Sequence, residues 1–75
     1  MSDSSQSVVL VYSTSHAIRI EKLLKAEKIP SKLIPVPRHL SSDCGVCVRF
    51  ESSDREDVDR ILERTAIKVQ GIECL

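Results

Sequence analysis

Aromatic residues are nearly absent: the 75-residue chain has one tyrosine, Tyr12, one phenylalanine, Phe50, and no tryptophan. Any core must therefore be aliphatic, and the aromatic pair on which sheet-type RNA-binding domains stack bases is missing. A basic excess is missing too. Eleven Lys and Arg are balanced by 11 Asp and Glu, for a formal net charge of zero, whereas a general nucleic-acid binder carries surplus positive charge. No nucleic-acid partner is expected. A near-neutral small domain also repels its own copies weakly, which leaves self-association open.

Long apolar runs are lacking as well. The longest, Val8 to Tyr12, falls far short of the roughly 20 residues of a membrane helix. Met1 to Ser7 is polar and carries Asp3 in place of the positive charge of a signal peptide. A cytoplasmic protein with no membrane association is expected. A fourth cysteine is also absent: Cys44, Cys47 and Cys74 are an odd set, unsuited to a closed disulfide framework and expected as reduced thiols. At this length the chain is one domain that buries roughly 60% of its unfolded surface. There is no room for a substrate cleft with walls of its own, so any site must lie at an edge, a loop or a subunit interface.

Residues 1–7 read as a disordered leader and residues 8–75 as a single domain. Val8 to Ser13 is rich in β-branched residues and reads as a buried central strand. The period then changes: Ala17, Ile20, Leu23 and Leu24 recur at helical spacing, with Thr14 or Ser15 as the expected N-cap and Pro30 ending the helix near Lys28. Lys32 to Val36 is a second strand, and Pro35 and Pro37 suit an edge position. Arg38 to Asp43 is a polar connection. From Cys44 the chain alternates, with Val46, Val48 and Phe50 on one face and Gly45, Cys47 and Arg49 on the other, a third strand. Ser53 and Glu56 have the spacing of a capping box, followed by the apolar stripe Val58, Ile61, Leu62 and Ala66. Lys68 to Cys74 closes the chain as a fourth strand.

The order β-α-β-β-α-β, with right-handed crossovers and a hairpin between strands two and three, predicts a ferredoxin-like two-layer α+β sandwich. Strand three should lie between strands one and two, antiparallel to both. Both helices should share one face of the sheet and leave the other open to solvent or to a partner, including a second copy. Cys47 and Arg49 are expected on that open face.

This topology sets the start of strand three beside the end of strand one, which is also the N-terminus of the first helix. Cys44 is thereby expected near the Ser13-Thr14-Ser15-His16 turn, with Arg38 and His39 entering from the connection. A helix N-terminus and nearby cations favour a thiolate and lower a cysteine pKa from its usual value of about 8.5. The same amides suit a bound anion. Asp43 works against this. Gly45, with no side chain, lets another molecule approach the backbone. The candidate site is thus Cys44 as the reactive thiol, with Arg38, His39, His16, Thr14 and Gly45 around it.

The stretches Tyr12-Ser13-Thr14-Ser15-His16-Ala17, Glu21-Lys22-Leu23-Leu24 and Pro37-Arg38-His39-Leu40-Ser41-Ser42-Asp43-Cys44-Gly45, with Arg49-Phe50, resemble the sulfur/selenium carrier-like family of small bacterial and archaeal proteins. The resemblance runs from Val8 to Ile72 and is most specific at the Pro-Arg-x-Leu-Ser-x-x-Cys-Gly segment. It implies that Cys44 carries sulfur or selenium as a persulfide or selenosulfide. It also implies a cysteine-desulfurase-type donor or other selenium-metabolism proteins as partners.

Two other uses of the cysteines fit poorly. Cys44 and Cys47 form a C-x-x-C, but in an extended strand they lie about 10 Å apart, beyond the roughly 7 Å a disulfide allows. A structural zinc needs four ligands, which Cys44, Cys47, Cys74 and a histidine supply only by distorting the sheet. No metal and no cofactor is expected, nor catalytic turnover beyond the carrier role. The competing reading is a non-enzymatic interaction module, in which Arg38 and His39 bind a small anion or partner and Cys44 is structural.

Overall fold

A computed structural model describes residues 5–40 and 45–75. Its elements are β1 (Gln6–Leu10), α1 (Thr14–Ala26), β2 (Ser31–Pro35), β3 (Val46–Glu51), a 3-10 turn (Ser52–Asp54), α2 (Arg55–Thr65) and β4 (Gly71–Cys74). The strands form one sheet in the order β2-β3-β1-β4, every neighbouring pair antiparallel. This is the ferredoxin-like sandwich that the alternation of periods predicts.

The main core lies between the helices and one sheet face. Val9 and Val11 from the first strand segment, Val48 and Phe50 from β3, Ala17, Ile20 and Leu24 from α1, and Val58, Ile61 and Leu62 from α2 are all buried. Successive strand residues point to opposite faces, so Val8, Leu10 and Cys47 must look the other way. They too are buried, at 0%, 6% and 0% exposure, beneath Ile34, Val36 and Leu40. The connection after β2 thus folds back over part of the face expected to be open. Cys47 lies on that face as expected, but inside a second, smaller apolar cluster.

Several boundaries differ from expectation. β1 begins at Gln6, so Gln6 and Ser7 of the expected leader belong to the sheet; residues 1–4 lie outside the described residues. The polar side chains of Gln6 and Ser7 find partners in the sheet. Gln6 Nε2 donates to Glu51 Oε2 at 3.2 Å, and the hydroxyl of the fully buried Ser7 lies 2.7 Å from that of Ser52. The N-cap of α1 is Ser13, whose Oγ accepts the His16 amide. The expected capping box does not form. Ser53 falls in the 3-10 turn, and Asp54 caps α2 without a side-chain hydrogen bond, while Glu56 and Asp57 in the first turn still complement the helix dipole. Ala66, expected on the apolar stripe, is the exposed C-cap of α2. β4 starts only at Gly71, with Gln70 donating its amide to the Leu10 carbonyl at 2.7 Å.

Candidate functional site

The site builds from the sheet register. Leu10 faces Cys47 across β1 and β3, and Pro35 faces Val46 across β2 and β3. The Val36 amide continues this ladder by donating to the Gly45 carbonyl at 3.1 Å. The start of β3 therefore lies beside the end of β1, from which the chain passes through Ser13 into α1. This is the juxtaposition that the strand order predicts.

Ser13 adopts extended backbone, and its Oγ accepts the His16 N–H at 3.3 Å while its carbonyl accepts the Ala17 N–H at 3.2 Å. No acidic side chain occupies the first turn of α1, so the positive end of the helix dipole is not offset there by a carboxylate on its own turn. Thr14 is exposed and His16 half-buried. The His16 Nδ1 atom is buried and has no hydrogen-bond partner among the described residues. A buried polar atom left without a partner costs on the order of 1–3 kcal/mol, which singles out His16 among the residues of this turn.

Gly45 is exposed, and a Cβ built on it would meet nothing within 4 Å. Its backbone is not in the left-handed region. Among the described residues neither packing nor conformation requires glycine here. Arg38 and His39 occupy the corners of a turn closed by the Leu40 amide donating to the Pro37 carbonyl at 3.0 Å. Both are exposed, and neither side chain hydrogen-bonds to a described residue. Cys44, with Ser41 to Asp43, lies outside the described residues.

The other two thiols differ sharply: Cys47 is buried and Cys74 exposed. Cys47 faces Leu10 and Cys74 faces Ser7. They lie on opposite sheet faces and about 10 Å apart along β1, which excludes a disulfide between them. Sequence reasoning missed the burial of Cys47. The signal was present in Val36 and Leu40, two apolar residues in an otherwise polar connection, and in the unbroken apolar run of β1, which marks a strand covered on both faces. Among the described residues no group of His, Cys, Asp and Glu could hold a metal ion, and no helix is long and apolar enough to cross a membrane.

Fold and topology define a small βαββαβ domain with a helix N-terminus and a glycine-opened strand start at one sheet edge. Residues 6–74 match the family model described as "Putative Se/S carrier protein-like". The chain belongs to this family of Se/S carrier-like proteins. No curated protein and no solved structure matches it.

Proposed function

We propose that the protein is a sulfur- or selenium-relay carrier and that Cys44 is its carrier thiol. The observation that carries this reading is the family match over residues 6–74. The register supports it: Gly45, the residue after Cys44, lies at the sheet edge where α1 begins. In the relay step the Cys44 thiolate attacks the outer sulfur of a donor persulfide. The donor's S–S bond breaks, a new S–S bond forms on Cys44, and the donor leaves as a thiolate. No net oxidant is needed, because the transferred sulfur arrives already at the persulfide level. A selenium cargo follows the same exchange.

The first turn of α1 supplies amides and the positive dipole end that favour an anion close by, and the lack of a side chain at Gly45 admits a donor protein's active-site loop. Arg38 and His39 sit on the flanking turn, where their exposed side chains can meet an anionic cargo or a donor surface.

Site-resolved alkylation of the reduced native protein tests the thiol. Half-maximal labelling of Cys44 is expected well below the ordinary thiol pKa of about 8.5, with Cys74 lagging and Cys47 protected. Incubation with a persulfide donor should add one sulfur to Cys44. Cys44→Ser should abolish loading, whereas replacing Cys47 or Cys74 should leave it intact. Loading that survives Cys44→Ser removes the proposal. A Cys44 that labels only on unfolding favours an interaction module with a structural cysteine instead.

A further inference from the structure

At the far end of β3 from Gly45, the register sets Lys32 of β2 directly opposite Arg49. The two are about 13 Å along the strand from Gly45, so this region is separate from the proposed carrier site. Val48 and Phe50 point into the main core, which puts Lys32 and Arg49 together on the other face. Side chains directly opposite each other have Cβ atoms about 4.5–5.5 Å apart, and like charges in that position are destabilising.

Nothing in the described chain neutralises them. The ion pairs among the described residues are Lys25–Glu21, Arg55–Asp59, Arg60–Asp57 and Arg64–Glu27, all on or beside the helices. On its other side Arg49 faces Val8, which is fully buried, and Glu73 lies one strand further on. Glu51, two residues along β3, accepts a hydrogen bond from Gln6 at 3.2 Å. Arg49 is itself half-buried, so its charge is partly removed from water with no counter-ion among the described residues, a costly arrangement.

Lys32 and Arg49 both line a recess of about 200 Å³ at this end of β2 and β3, together with Gln6, Pro30, Ser31, Phe50 and Glu51. A second recess, about 180 Å³, also contains two arginines, Arg60 and Arg64. Those are already held by Asp57 and Glu27 at 3.3 and 2.9 Å. Of these two recesses, the Lys32–Arg49 one presents cations with no ion-pair partner among the described residues.

We infer that the Lys32–Arg49 recess is a binding site for a single oxyanion group, a carboxylate or phosphate carried by a small molecule. The guanidinium fork and the ammonium would donate to the oxyanion from two sides, turning a repulsive cross-strand pair into a charge-assisted clamp. Glu51 on the wall limits the charge the site tolerates and sets its selectivity. The volume suits one small group rather than a large ligand, whose sites span roughly 300–1,000 Å³.

The alternative is that the two long stems do no more than cover Val8. The whole protein, labelled with ¹⁵N, is titrated with acetate and separately with inorganic phosphate, chloride holding ionic strength constant. Saturable amide shifts around Gln6, Lys32 and Arg49 are expected. Lys32→Gln or Arg49→Gln should weaken them at least about tenfold, the loss of one charge-assisted hydrogen bond, and Glu51→Gln should tighten binding. Saturation with acetate alone identifies a carboxylate ligand and with phosphate alone a phosphate ligand. Non-saturating shifts, or shifts that persist unchanged in both glutamine variants, overturn the site. Lys32→Glu supplies an independent arm: it should raise the melting temperature by making the cross-strand pair attractive. A lowered melting temperature would show that the two cations do not repel, and the inference would fall with its premise.

Discussion

Ser13 stands at φ −152° and ψ 159°, extended backbone that lets its hydroxyl reach the His16 amide. Three hydroxyl residues in a row, Ser13, Thr14 and Ser15, are all competent caps, and side-chain chemistry alone does not choose among them. The choice falls on Ser13 because the chain leaves β1 only a few residues earlier and turns there. Ser13→Ala should cost about 1 kcal/mol, whereas the exposed Ser15→Ala should change stability by less than about 0.5 kcal/mol. Urea denaturation of the two variants checks this, and equal losses would deny the cap its role. His16 illustrates the same limit. Its identity marks a candidate site residue, but the burial of its Nδ1 without a partner among the described residues is visible only in three dimensions.

Helix ends carry the next level of organisation. α1 stops in a complete Schellman arrangement: Ile29 donates to the Leu24 carbonyl at 2.8 Å and Lys28 to the Lys25 carbonyl at 3.0 Å, with Leu24 and Ile29 both in the main core. Lys28 occupies the left-handed position at φ 63°, and Ala66 does the same after α2 at φ 57°. Neither is glycine, the residue this conformation favours. Left-handed backbone costs an ordinary residue roughly 1–2 kcal/mol, part of which glycine gives back through its freedom in the unfolded chain. Lys28→Gly and Ala66→Gly are each expected to stabilise by about 0.5–1 kcal/mol, read as raised denaturation midpoints with unchanged slopes. A loss in both would show that these ends are set by something other than backbone preference. Pro30 marked the end of α1 in the sequence to within a few residues, but the cap itself depended on Ile29 reaching the core.

Across the whole molecule the sheet carries apolar residues on both faces, with helices over one and the connection after β2 over part of the other. Leu40 and Val36 close the smaller cluster above Cys47, so the buried thiol reports whether that connection is docked. Leu40→Ala should speed native-state labelling of Cys47 by about tenfold or more, equivalent to some 1.4 kcal/mol. It should lower overall stability less than Leu24→Ala, for which the usual loss is about 2–5 kcal/mol. Cys47 labelling that tracks only global unfolding in both variants would mean that the connection and the main core open as one unit.

The element order, the two helical stripes, the place of β3 between β1 and β2 and the approach of its start to the first helix were all legible in the sequence. Each follows from hydrophobic period and connection handedness, which are local properties with few global solutions. Family membership followed from the residues around Pro37 to Gly45 and the Ser13 turn. What the tertiary structure alone decided is non-local: that Gln6 and Ser7 gain partners in Glu51 and Ser52 and so join the sheet, that Ser13 wins the cap, that Cys47 is sealed under Leu40, and that Lys32 stands opposite Arg49 with no counter-ion among the described residues. A residue's own chemistry fixes what it can do, but its desolvation and its neighbours depend on strand register and on chain segments far away in sequence.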